Sequence, residues 1–325
     1  MVPLVGIALG LVLPLLVPPE LAVQARIKTG IQPKSVSVSP YEDRVAICNF
    51  GQAVNRNVVI RDATTLDRLV QVDFRGTATE STWRDSIDLL VSDFANGELL
   101  VIDSDAGIIV DHIKVGPNPK GIALSPDGRL AFVTNWSNRS ISVVDLDEAR
   151  VVQTLKTGRR PRGVAVTDEA VLVVGAMWDH ELHFFDPMGE HAYDAHPFEK
   201  RACSYPRDVV MTPDGRHIAV TCSGNQRLRW YDHVTRRLAG QAMVGENPRS
   251  LAISRQGAWA AVANYYGDSV TLVDLSSGET STTAFRRVEG IVGVAMAGDV
   301  EPVVYATSFY TNELLRLTVP RPGGG

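Results

Sequence analysis

The residues PKGIALSPDGRLAFVTNWSNRSISVVD (119–145) indicate the fold, because their parts return along the whole chain. The opening Pro with a basic residue recurs, and successive prolines from Pro119 lie 42, 45 and 42 residues apart. The Asp that ends the third apolar run recurs at Asp62, Asp103, Asp145, Asp186, Asp232 and Asp274. A period near 40 with several short strands per repeat predicts the blade of a β-propeller rather than a helical solenoid.

Within each repeat the apolar residues alternate with a period of two, which indicates strands rather than helices. The turns SPDG (125–128) and TPDG (212–215) suit hairpins, because Pro presets one φ angle and Gly accepts a positive one. Each repeat thus predicts four antiparallel strands in an all-β, seven-bladed β-propeller. The inner strands are expected to begin near Pro33, Thr77, Pro119, Pro161, Pro206, Pro248 and Ile291.

The two ends of the chain are predicted to close the ring. The seventh repeat supplies three strands and stops at Leu317, and residues 22–30 match residues 150–158, the outer strand of another blade. Pairing this N-terminal strand with the last blade removes open sheet edges. We therefore predict a propeller over residues 20–318, a signal-like segment over 1–19 and a flexible Pro/Gly tail over 319–325.

The composition is that of a folded protein, with 45% hydrophobic and 21% charged residues and a net charge of -5. That charge excludes a global basic field for nucleic acid or membrane. The apolar run 4–17 is too short to span a bilayer comfortably and resembles the core of a secretory signal, although a basic n-region is absent. We expect a periplasmic or extracellular protein, or a cytoplasmic one if this run is not a signal. Cleavage after Ala25 would cut the closing strand, so the cleavage site stays open.

Three short runs carry a family resemblance: FVTN (132–135), AVAN (261–264) and YATS (305–308). With the Pro-Asp-Gly turns and the Val-Val-Asp endings, they resemble the YVTN-repeat β-propellers over essentially the whole chain after about residue 20. This group includes lactonase-like propellers and the propeller of cytochrome-type nitrite reductases. Some members are reported to bind single-stranded DNA, and others sit beside quinoprotein dehydrogenases. The resemblance implies the fold and says little about a ligand.

Two sets of side chains are predicted to share one face of the disc, because inner strands begin and second strands end there. The basic set occupies one repeat position: Lys34, Lys120, Arg162, Arg207 and Arg249. The aromatic set follows the second strand, with only Ser223 breaking it: Phe50, Phe94, Trp136, Trp178, Tyr265 and Phe309. Blades 2 and 7 are predicted to carry Ala78 and Val292 at the basic position, with Glu80 and Glu289 nearby. The positive arc is then expected over blades 3 to 6, with Lys34 isolated.

These two sets allow two interpretations. In the first, Lys120, Arg162, Arg207 and Arg249, with Lys34, supply charge for an anion, and Trp136, Trp178, Tyr265 and Phe309 supply stacking for a planar ligand. In the second, the aromatic side chains pack between blades and the Lys and Arg stems cover them. The predicted partner is an anionic small molecule, a nucleic acid or a protein. We expect a monomer without a stable membrane span.

Catalytic motifs are weak. Arg207 lies in YPRD (205–208), which resembles the Pro-Arg-His stretch of lactonase propellers, but Asp208 replaces the His. No nucleophile elbow or Gly-rich phosphate loop occurs. We therefore predict a non-catalytic binding or scaffold propeller with no cofactor. The alternative is a lactonase-like hydrolase, or a redox or cofactor-associated enzyme, using the same face.

A metal site is also considered, since several potential ligands lie around blade 4: Asp179, His180, His183, His191, His196 and Cys203. His180 and His183 are three residues apart on a predicted strand and hence on opposite faces. Scattered surface histidines, and no metal, are therefore the prediction. A bridge between Cys203 and Cys222 is possible if the protein is exported.

Overall fold

The computed structural model describes residues 18–51, 56–189, 192–298 and 302–319. Residues 1–17 of the predicted signal-like segment and 320–325 of the predicted tail lie outside this range. The described residues form seven four-stranded antiparallel sheets and no helix. No helix long and apolar enough to cross a bilayer occurs in these four ranges. The predicted all-β, seven-bladed propeller is confirmed.

Each blade runs from the channel outward in chain order, and the last blade takes its outer strand from the N-terminus. Blade 1 holds β2 (Pro33–Val38), β3 (Arg44–Asn49), β4 (Val58–Asp62) and β5 (Arg68–Val72). Blade 2 holds β6 (Ala78–Trp83), β7 (Asp88–Asp93), β8 (Glu98–Asp103) and β9 (Ile108–Lys114). Blade 3 holds β10 (Pro119–Leu124), β11 (Leu130–Asn135), β12 (Ser140–Asp145) and β13 (Arg150–Lys156). Blade 4 holds β14 (Pro161–Val166), β15 (Leu172–Ala176), β16 (Glu181–Phe185) and β17 (Phe198–Arg201). Blade 5 holds β18 (Pro206–Met211), β19 (His217–Cys222), β20 (Arg227–Asp232) and β21 (Leu238–Met243). Blade 6 holds β22 (Pro248–Ile253), β23 (Trp259–Asn264), β24 (Ser269–Asp274) and β25 (Thr280–Ala284). Blade 7 holds β26 (Ile291–Ala297), β27 (Val303–Ser308), β28 (Glu313–Thr318) and β1 (Ala22–Lys28).

The ring is closed by β1, which pairs antiparallel with β28 from Ala22 opposite Thr318 to Lys28 opposite Glu313. Leu21, just before β1, is buried, and its backbone N–H donates to Thr283 Oγ1 of blade 6 at 2.8 Å. The predicted closure is confirmed. It also shows that the closing strand needs residues 21–25, so cleavage after Ala25 would remove half of it.

The core lies in wedges between neighbouring blades. Second and third strands such as β11 and β12 are buried along their whole length, so both faces carry apolar side chains. One wedge packs Phe132 and Val143 of blade 3 against Leu172 and Phe185 of blade 4. Since each blade buries its faces only against its neighbours, the fold depends on the complete ring.

The inner strands approach each other closely around the channel. A Cβ atom on Gly121 would lie 2.2 Å from the Arg162 carbonyl oxygen, so only glycine fits there. Hydroxyl groups of second strands also donate to the carbonyl of the basic residue in the next blade: Ser92 to Lys120 at 2.7 Å, Thr134 to Arg162 at 2.9 Å and Thr221 to Arg249 at 3.0 Å. These bonds fix the backbone from which the basic side chains extend.

The strand register of blade 2 corrects the residue that was predicted at its basic position. Pro119 pairs with Asn135 in blade 3, and Ala78 pairs with Asp93 in blade 2. Ala78 therefore takes the proline position and Thr79 the basic position, so the prediction of Ala78 was wrong by one residue. The divergent sequence of this blade has no proline to mark its start. The same register places Glu80 on the inner strand, at the position of Gly121.

Candidate functional site

The basic residues of five blades meet at the channel because each follows the first residue of an inner strand. Pro33 pairs with Asn49 and Pro119 with Asn135, which puts the starts of inner strands and the ends of second strands on one face, as predicted. We call it the mouth face. A cavity of 270 Å³ opens there, and its charged lining residues are Lys34, Glu80, Arg162, Arg207, Asp208 and Arg249. Lys34 thus shares the cavity with the arginines, and the expectation that it is isolated was wrong.

Three of the five cations lie over aromatic rings, which favour a positive charge on their faces. Each ring belongs to the predicted aromatic set. The distances from the cation to the ring centroids are 4.8 and 5.9 Å for Lys34 over Phe50 and Phe309, 4.6 and 5.2 Å for Lys120 over Phe94 and Trp136, and 3.2 Å for Arg249 over Tyr265. For these three blades the two predicted sets partner each other.

Arg162 and Arg207 differ from the other three cations, and we call them the open pair. Neither guanidinium has a ring contact, a hydrogen bond or an ion pair within the described residues. The Nε of Arg207 is buried and has no acceptor in the described part of the chain. Blade 5 carries Ser223 at the aromatic position. In blade 4, Pro161 pairs with Ala176, so Met177 takes that position and the prediction of Trp178 was wrong by one residue. Trp178 contacts a different arginine. A buried donor without an acceptor is costly, so the open pair favours an anion.

That other arginine is Arg160, which the sequence analysis missed. Its guanidinium carbon lies 3.7 Å from the ring centroid of Trp136 and 4.8 Å from that of Trp178, so it is held between the two. Arg160 precedes Pro161 and has φ = 55°. The same left-handed conformation occurs at the residue before four other inner-strand prolines: Gln32, Asn118, Tyr205 and Asn247. The residue before the inner-strand proline thus occupies one repeat position, and this recurrence in the sequence could have pointed to Arg160.

Two carboxylates also line the cavity, both one residue after the basic position. Asp208 accepts hydrogen bonds from the backbone N–H of Leu251 at 2.8 Å and of Val209 at 3.1 Å. The carboxylate of Glu80 has no hydrogen bond or ion pair among the described residues. Burial, with the negative charge of Asp208, raises the pKa of Glu80 to about 7, although Arg162 acts in the opposite direction. Glu80 is thus a group that gains or loses a proton near neutral pH.

The lysines show how positive the cavity is. Burial and the charges of Arg162, Arg207 and Arg249 lower the pKa of Lys34 well below its ordinary value. Burial and neighbouring cations lower the pKa of Lys120 in the same way. Since like charges destabilise each other here, a bound anion would relieve part of that cost. The arrangement suits recognition of an oxyanion.

The histidines of blade 4 are satisfied by protein groups. His183 is buried, with Nδ1 3.2 Å from Thr157 Oγ1 and Nε2 3.3 Å from Glu181 Oε2. His180 Nδ1 accepts the backbone N–H of Tyr205 at 3.0 Å. Among the described residues no three His, Cys, Asp or Glu side chains come together to hold a metal. His191 lies outside those residues.

Cys203 and Cys222 form a disulfide, with Cα atoms 5.7 Å apart. Cys222 ends β19, at the position that Asn135 occupies in blade 3. The bridge ties the connection before blade 5 to its second strand. The third cysteine, Cys48, is free and buried. The bridge that the sequence left open is therefore present.

Comparison with known proteins supports the fold. No protein-family model matches the chain, and no curated protein matches it. A chain in the solved structure of Kuenenia stuttgartiensis hydrazine synthase is similar, with a TM-score of 0.75 and 21% sequence identity. The match covers 92% of this chain and 98% of that one. At this identity the similarity shows the propeller fold alone, and membership of the YVTN-repeat family stays a prediction.

Proposed function

We propose that this protein is an exported, non-catalytic binding propeller that holds a small oxyanion in the mouth-face cavity. The observation that carries the proposal is the open pair: Arg162 and Arg207 line the cavity from neighbouring blades and have no acceptor within the described residues. Guanidinium groups bind oxyanions through several charge-assisted hydrogen bonds. The resemblance to YVTN-repeat propellers agrees with a binding role.

The charge and the size of the cavity define the ligand class. Four cations and two carboxylates line it, so two positive charges are in excess when all six groups are ionised. The 270 Å³ volume equals that of about nine liquid water molecules. A small multivalent oxyanion fits this space, for example sulfate, phosphate or a dicarboxylate. Trp178 is half-exposed and lines a separate pocket with Trp136 and Arg160, so a planar ligand that stacks on it would lie there and not in this cavity.

Export is supported by the disulfide between Cys203 and Cys222, because such bonds persist in oxidising compartments. The apolar run 4–17 suits a signal. A mature protein with a closed ring needs Leu21 and Ala22–Lys28. We therefore infer that any cleavage falls before Leu21.

Calorimetry and thermal shift with sulfate, phosphate, oxalate and citrate test the proposal. Arg162→Ala with Arg207→Ala should weaken binding by about a hundredfold or more, since each hydrogen bond to a charged group contributes about 1.5–3 kcal/mol. It should also flatten the salt dependence of binding.

The matched control is Arg216→Ala with Arg255→Ala. Both residues lie exposed in hairpin turns of blades 5 and 6, on the face opposite the mouth. This variant loses the same charge and should bind as the wild type does. Equal loss in the two double variants would mean that only net charge matters. Binding of none of the four anions by the wild type would overturn the proposed function.

A further inference from the structure

Glu80 is the one feature of the cavity that an anion site does not explain. It lies on β6 and lines the cavity with Arg162, Arg207 and Arg249. Asp208, at the same repeat position, is held by the backbone N–H groups of Leu251 and Val209 and is thereby a fixed acceptor. The carboxylate of Glu80 has no such partner within the described part of the chain. The carboxyl group of Glu80 is therefore available to form a hydrogen bond with a ligand in the cavity.

An ionised Glu80 and an anion in the same small cavity repel each other, and low polarity strengthens that repulsion. A protonated Glu80 has the opposite effect, because its O–H is a hydrogen-bond donor. The charged groups that act on Glu80 come from four other inner strands: Lys34 on β2, Lys120 on β10, Arg162 on β14 and Asp208 on β18. The cations favour its ionised form, and burial and Asp208 favour the protonated form.

We propose that the cavity takes up its anion together with one proton from solvent, which Glu80 holds and donates as a hydrogen bond to the bound anion. No covalent bond changes, and the proton returns to solvent when the anion leaves. This inference rests on the proposed anion site. It specifies how that site responds to pH and gives Glu80 a role that Asp208 does not share.

The direction of the pH dependence follows from linkage. The pKa of Glu80 in the free protein is raised to about 7, and a bound anion raises it further. Below the free pKa the proton is already present, so affinity is constant there. Affinity then falls as pH rises from the free pKa to the bound pKa, by at most about tenfold per pH unit, because one proton is taken up.

The lysines provide the competing explanation. The pKa values of Lys34 and Lys120 are lowered, and an anion would also favour their protonated forms. Their loss of protons at high pH would weaken anion binding in the same direction. Only a variant at Glu80 separates the two sources.

The experiment is calorimetric titration with sulfate and oxalate, whose charges are constant between about pH 5.5 and about pH 8.5. Wild-type affinity should fall by up to about tenfold between about pH 6 and about pH 8, with proton uptake shown by enthalpies that depend on the ionisation heat of the buffer. Glu80→Gln should bind with little pH dependence over this range. Glu289→Gln, the same substitution at an exposed residue of the mouth face, should behave as the wild type does.

Two results would overturn the inference. One is wild-type affinity that does not change with pH and shows no proton uptake. The other is Glu80→Gln with the full wild-type pH dependence, which would assign the proton to the lysines. The buffer dependence of the wild-type enthalpy needs no variant, so the test stands if Glu80→Gln folds poorly. Absence of any binding by the wild type at every pH would instead overturn the proposed anion site.

Discussion

Blades 3 and 5 share one repeat but treat the mouth face differently. In blade 3, Lys120 lies over two aromatic rings and is followed by Gly121. In blade 5, Arg207 lies over no ring of the described residues, because Ser223 stands at the aromatic position, and Asp208 follows it. The cation of blade 3 is partnered by aromatic rings, whereas the Arg207 guanidinium of blade 5 lines the cavity without a partner among the described residues. A repeat thus fixes where a side chain lies, and its neighbours decide whether it is available to a ligand.

The ends of the second strands show the same contrast. Asn135 of blade 3 donates from Nδ2 to Ser140 Oγ and Ser142 Oγ, both at 3.0 Å. Cys222 of blade 5 faces Arg227 across the strand pair and is bonded to Cys203 instead. A covalent bond replaces the hydrogen bonds that hold this corner in blade 3.

Removal of the disulfide between Cys203 and Cys222 should give the largest loss of stability. The variant Cys203→Ser with Cys222→Ser should lower the free energy of unfolding by about 3 kcal/mol, since the bridge closes a short loop in the unfolded chain. Urea denaturation measures the loss, and reduction of the wild type should reproduce it. Cys203→Ser with Cys222→Asn should not restore stability, because Arg227 replaces Ser140. Full stability of the double serine variant would contradict this account of blade 5.

A substitution at the residue after the basic position should give the next largest loss of stability. Gly121→Ala should cost about 2 kcal/mol, because its Cβ would overlap the backbone oxygen of Arg162. Gly128→Ala is the control: it has φ = 70° and no atom within 4 Å of its Cβ, so only backbone strain of about 1 kcal/mol is expected. Thermal denaturation of the two variants compares them. A larger loss for Gly128→Ala would show that the blades can separate to admit a side chain at Gly121.

Substitution of the basic residues themselves should change stability least, and the direction of the change should differ between blades 3 and 5. Lys120→Met should destabilise by about 1 kcal/mol, because the cation loses contact with two rings. Arg207→Met should be neutral or stabilising by about 0.5 kcal/mol, since it removes a buried donor that has no acceptor among the described residues and lies beside like charges. Chemical denaturation without added anion measures both. Equal destabilisation would mean that blades 3 and 5 use their cations alike.

The architecture was predictable from the sequence alone. A repeated turn, a period of two within strands and prolines spaced 42 to 45 residues apart predict seven blades, the closure by β1 and the face shared by the basic and aromatic residues. These features are local or periodic, so they can be read without distances. The resemblance to YVTN-repeat propellers and the export signal remain predictions.

Contacts between blades set which partner each side chain of the mouth face has, and these contacts were not predictable from the sequence. The tertiary structure placed Thr79 rather than Ala78 at the basic position, brought Glu80 and Lys34 into the cavity and set Arg160 between Trp136 and Trp178. It also joined Cys203 to Cys222 and left Arg162 and Arg207 without partners among the residues that the structure describes. The physical reason is that these outcomes depend on distances between blades, across residues often 40 or more positions apart. The repeat pattern gives the same position in every blade and carries no information on which neighbour each side chain meets.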